Sequence, residues 1–134
     1  IQQRNALCHY VDKQLAAQEN IDRLLGGNPF KLLADNHLHH VRFMSSVFFL
    51  NNYIMLARII PWVYRSYQKQ GVSCDYFPLA LQKWQEAVSV LLEPESVIQI
   101  LPVYEWMLSH HEDFVAVADS SAEIPFSFSI EQEA

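Results

Sequence analysis

A chain of 134 residues, 51% of them hydrophobic, is one domain's worth of sequence and can form a core without disulfide or metal staples. Three glycines and six prolines beside seventeen aromatics exclude collagen-like, disordered and turn-rich architectures, and 18% charged residues is low for a coiled coil. A net charge of −6 with no basic run excludes nucleic acid as a partner, because phosphate contacts need cationic side chains.

The charge is unevenly placed. Residues 1–83 hold all nine Lys and Arg and five acids, whereas residues 84–134 hold ten acids and no base. Such a C-terminal part repels itself unless bases such as Arg42, Arg58 or Arg65 lie near it, so the last helix is expected against the helices of residues 35–70. The longest apolar runs, near 46–50 and 88–92, fall far short of the roughly 20 residues of a membrane span, so no membrane is expected. There is no signal-peptide pattern. Cys8 and Cys74 have no CxxC spacing and read as two reduced thiols in a cytoplasmic protein. A start at Ile1 rather than Met reads as a piece of something longer.

In chain order, residues 3–25 carry Leu7, Val11, Leu15, Ile21, Leu24 and Leu25 at helical spacing and end at Gly26-Gly27, a helix stop. Asn28-Pro29 reads as a cap and first helical position opening a short turn through Leu33, with a second helix from near Asp35. Its stripe is Leu38, Val41, Met44, Ser45 and Phe48. Asn51-Asn52 breaks or continues it. A third helix follows over 53–70, bent or restarted at Pro61 and closed by Gly71. Pro78 sits in the first turn of the next, which runs to about Leu92 with Leu81, Trp84, Val88, Leu91 and Leu92 inward.

Pro94 opens the last helix or helix pair, over 95–118, bending at Pro102 with a stripe of Val103, Met107, His110, Phe114 and Val117. Beyond it Ile124, Phe126, Phe128 and Ile130 alternate with Pro125, Ser127 and Ser129, as in an extended segment. The fold expected is therefore all-α: a single-domain bundle of five or six helices over 1–119 and an extended or flexible tail over 120–134. The apolar row of the tail favours self-association as a dimer.

Two histidine clusters raise the question of a metal. On helices, His37 and His40 form an i,i+3 pair, as do His110 and Asp113, and two such pairs on facing helices give a four-ligand N/O site for Zn or Fe. His-Glu-x-x-His and the paired Glu-x-x-His repeats of di-iron bundles are absent, so core or boundary histidines are the simpler reading and no cofactor is expected. A globin-type haem is excluded, because no histidine lies between Val41 and Ser109. There is no phosphate loop, dinucleotide fingerprint or serine elbow, and no neighbouring histidine in sequence activates Cys74. No catalytic residue is assigned. The aromatics Trp62, Tyr64, Tyr67, Tyr76, Phe77 and Trp84 around Gly71 read mainly as core, with some available to a partner or a small planar ligand.

The stretch Leu50-Asn51-Asn52-Tyr53, Trp62, Gly71-Val72 and Leu81-x-x-Trp84 resembles small helical bundles that accompany cobalamin-binding or other sensory modules in bacterial signalling proteins. In those bundles an aromatic-rich helix ends in a Gly-Val turn and an amphipathic helix follows. The resemblance implies an input or coupling role, capping a ligand or passing on its state. The Asp-x-His-x-x-Gly stretch with which the companion domain ligates cobalamin is missing here. The function expected is thus a non-catalytic sensory, regulatory or protein-interaction domain, with a His/Asp metal sensor or enzyme as the alternative.

Overall fold

The polar run Gln18-Glu19-Asn20 decides the first feature of the architecture. Continuing the helical phase of Leu7, Val11 and Leu15 would turn Gln18 and Asp22 inward and Leu24 outward. The computed structural model, which describes residues 3–120, resolves the conflict with a break: α1 (Arg4–Ala16) stops, and a five-residue α2 (Ile21–Leu25) restarts with Ile21, Leu24 and Leu25 buried. The single helix expected over 3–25 is therefore two.

α3 (Phe30–Leu50) starts earlier than expected and is continuous, with extended Pro29 as its cap. Asn28 has a different task, since its side-chain amide donates to the carbonyls of Leu25 and Gln70 at 2.8 and 2.7 Å. The buried face of α3 is Leu33, His37, Val41, Met44 and Val47, so the expected stripe is rotated and Leu38, Ser45 and Phe48 are only half-buried. The helix closes on Asn51 in the left-handed region (φ 53°), where the Asn52 amide reaches back to the Val47 carbonyl and the Asn51 amide to that of Phe48. The Asn52 side chain then caps α4 (Tyr53–Lys69) by accepting from the Met55 amide. Buried Pro61 lies within α4, which runs through it.

α4 ends as its sequence says. The Val72 amide donates to the Tyr67 carbonyl and the Gly71 amide to that of Gln68, with Gly71 left-handed at φ 93°. A Cβ on Gly71 would meet only ordinary contacts, so the strain of substitution there is backbone strain alone. Gly71→Val should therefore lower stability by about 1 kcal/mol or more, seen as a lower thermal midpoint; an unchanged midpoint would contradict this turn.

α5 (Tyr76–Leu91) buries Tyr76, Phe77, Ala80, Leu81, Trp84, Ala87 and Val88. Pro94 begins α6 (Pro94–Ser109), which passes through Pro102, and a turn at His110 leads into α7 (His111–Asp119). All seven elements among the described residues are α-helices, against the five or six expected; the short α2 and the His110 turn account for the difference. No helix there is long and apolar enough to cross a membrane.

α1 packs against both α3 and α5, α6 lies along α5, and α7 lies along α4. The last of these is the packing expected from charge. The Arg65 guanidinium donates to the carbonyls of Val117, Ala118 and Ser120, and Gln68 donates to the Asp119 carboxylate. A cation on the last carbonyls also opposes the negative end of the α7 dipole. The tail expected over 120–134 lies, from Ser121 onward, outside the described residues.

Candidate functional site

The helical spacing of His37 and His40 turns both imidazoles toward neighbouring helices. His37, on α3, is 1% exposed. Its Nδ1 lies 2.5 Å from an Asp12 carboxylate oxygen on α1, and its Nε2 lies 2.8 Å from the Tyr76 hydroxyl on α5. A carboxylate only accepts, so Nδ1 carries the proton of the bond to Asp12, and Nε2 is paired with the Tyr76 hydroxyl. His40 Nε2 pairs with the Tyr104 hydroxyl of α6 at 2.8 Å, and the Tyr64 hydroxyl of α4 pairs with His111 Nδ1 of α7 at 2.7 Å. Three histidine–tyrosine pairs thus join three different pairs of helices.

Rings enclose the polar atoms. Trp84 meets His37 edge-on at 5.8 Å and lies 4.7 Å from His40, while Tyr67 stacks on Tyr76 and Phe77 stacks on Tyr64 at 3.8 Å. Burial holds the phenols protonated: it raises Tyr76 well above its ordinary value, raises Tyr64 and Tyr104, and pushes Tyr67 up to about 12 against hydrogen bonds from Tyr76 and Asn36. Every buried side-chain nitrogen and oxygen among the described residues has a partner. An orphaned polar group would point to a missing ligand; these are satisfied within the protein.

Carboxylate, imidazole and phenol stand in the order of an acid–base relay, but Tyr76 is 3% exposed and His37 1%. Solvent meets the chain of bonds only at Asp12, whose side chain is 30% exposed. The arrangement is a latch across α1, α3 and α5. Burial favours the thiol form of the two cysteines, Cys8 and Cys74. Both are free; burial pushes the Cys8 thiol up, with Asp12 adding to it, and burial also raises Cys74 against a hydrogen bond from Gln68.

Of the four residues considered for a metal, the three histidines have hydrogen-bond partners within the protein. His37 is bound to Asp12 and Tyr76, and His40 to Tyr104. His110, half-buried at the α6–α7 turn, directs Nδ1 at the Trp106 carbonyl at 2.9 Å, and Asp113 is exposed in the first turn of α7. Among the described residues no group of three or more His, Cys, Asp or Glu is placed to hold a metal ion. The core side of the last helices is Tyr104, Met107, His111, Phe114 and Ala118, one position on from much of the expected stripe. His111, rather than His110, is thus the buried histidine. Tyr104 and Tyr64 were the available signals, since a phenol inside needs a partner, which His40 supplies to the first and His111 to the second.

Desolvation, with His37 beside it, pulls the His40 imidazole down to about 3. Its depressed value means that the neutral ring supports the fold fully above the ordinary 6.5, and that this support is lost as pH falls from there toward about 3. Allowing for partial exposure, stability should drop by about 1–2 kcal/mol between pH 7.5 and 5 through this group. His40→Gln should flatten that part of the curve in denaturant titrations; an equal slope in the variant would contradict it.

A scan of protein-family models finds no match to the chain. Searches of curated proteins and of solved structures likewise return no significant match.

Proposed function

We propose that the chain is a non-catalytic protein-interaction domain with a regulatory or sensory role, of the kind its likeness to bundles in bacterial signalling proteins implies. One observation carries this reading. Around the Asn51-Asn52 turn, Phe49 is 86% exposed, Leu50 61%, Ile54 71% and Tyr53 38%. Isolated exposed apolar residues are ordinary; four within six positions, on the ends of two helices fixed by their caps, form a patch that monomeric proteins rarely leave uncovered. The mixture of aromatic and branched side chains is that of the centre of a protein interface. The titratable groups of the interior, by contrast, are occupied with one another, so function is assigned to the surface.

The test compares proteins retained from cells by the wild-type chain and by a Phe49→Ser/Ile54→Ser variant. Specific partners should be held by the first and lost, tenfold or more, by the second. Identical retention would overturn the reading.

A further inference from the structure

A second apolar surface lies on α6. Eleven of its sixteen residues are apolar, yet only Tyr104 and Met107 are buried. A helix apolar on every side is normally enclosed. Here α6 is covered by α5 and α7 on part of its circumference, and a solvent-facing strip remains with Ile98, 75% exposed, then Pro102, then Trp106 at 36%. These stand at i, i+4 and i+8, on one side of the helix. The only charges of α6, Glu95 and Glu105, are exposed on that same side.

The corner at Asn51-Asn52 has the opposite sign. Between Asp35 and Asp75 the sequence contains Arg42, Arg58, Arg65 and Lys69 and no acid. Exposed Arg42 lies two turns before Phe49 on the same face of α3, and exposed Arg58 lies one turn after Ile54 on the same face of α4. One surface is therefore apolar with two guanidinium groups beside it; the other is apolar with two carboxylates.

Resting on the interaction reading above, we propose that the partner of the corner is the α6 face of a second copy of this chain. Charge selects this pairing. Corner against corner would oppose arginines, and α6 against α6 would oppose glutamates, whereas corner against α6 buries apolar side chains and matches both signs. The contact is head-to-tail, leaving the unused corner of one copy and the unused α6 of the other free to continue the assembly. With only a few exposed apolar side chains on each side, the interface is small and the association weak and salt-sensitive.

The experiment is sedimentation velocity over a concentration series, from about 10 μM to about 1 mM, the range in which weak interfaces are populated. The wild-type mean mass should rise with concentration and the rise should shrink in higher salt. Arg42→Glu/Arg58→Glu makes both surfaces acidic and Glu95→Arg/Glu105→Arg makes both basic, so each variant alone should associate at least tenfold more weakly. An equimolar mixture of the two variants restores opposite charges and should recover the rise. Circular dichroism confirms that each variant is folded. A wild-type chain monomeric throughout, or variants that associate as the wild type does, would overturn the proposal. If the wild type is monomeric while its cellular partners still depend on Phe49 and Ile54, this inference fails and the interaction reading stands.

Discussion

His37→Ala should lower the unfolding free energy by about 3–5 kcal/mol. The change leaves a cavity beside Trp84, takes a hydrogen-bond partner from a Tyr76 hydroxyl that is 3% exposed, and removes the partner of the Asp12 carboxylate. Asp12→Ala should cost less, about 1–2 kcal/mol, because water replaces much of what a side chain 30% exposed gave up. The double variant should then be less destabilised than the sum, since both substitutions break the same bond. Denaturant unfolding of the four proteins measures this, and strict additivity would show that Asp12 and His37 do not act together.

Gly26→Ala should cost about 2 kcal/mol or more, for two reasons that add. Gly26 is left-handed at φ 62°, and a Cβ there would overlap the Gly71 carbonyl, a backbone atom that cannot swing away. The position lies in a joint of three contacts between the end of α2 and the α4–α5 loop: Gly26 on Gly71, the Asn28 amide on the Gln70 carbonyl, and the Ser73 amide on the Leu24 carbonyl at 2.9 Å. Gly27→Ala is the control. It is also left-handed, at φ 91°, but its Cβ would meet nothing, so it should show backbone strain alone and a smaller loss. Equal losses at the two positions would remove the close approach from the explanation.

Helices were legible wherever local chemistry marked their ends. Gly71 and Pro94 announce a stop and a start that the chain obeys, whereas Asn51-Asn52 left a break or a continuation open and the chain breaks there. Where a break depends on which side of a helix must be buried, as at Gln18-Glu19-Asn20, periodicity holds the information but spacing alone allows one helix or two. The buried faces of α3 and of α6–α7 were misjudged by about one position: the expected stripe of the last helices already held a histidine, but His110 where the fold buries His111, and the expected stripe of α3 left out His37. His37, His111 and Tyr104 are inward because each has a partner from another helix, 47 to 64 residues away for two of the three pairs, and no local pattern contains that partner. The latch of Asp12, His37 and Tyr76 was out of reach for the same reason. The α3–α4 corner was hidden differently: Phe48, Phe49 and Leu50 look alike in sequence, and only the direction in which α3 ends separates half-buried Phe48 from Phe49 at 86% exposure.

The claim on which the functional reading rests is that the corner is surplus to the fold. Calorimetry of the Phe49→Ser/Ile54→Ser variant in dilute solution, at about 1 μM so that association does not contribute, tests it most directly. Surface substitutions outside structural contacts change stability by about 0.5 kcal/mol or less, so the midpoint should stay within about 2 °C of the wild type. A fall of about 10 °C would show instead that these side chains hold the bundle together, and the corner would no longer stand as an interaction surface.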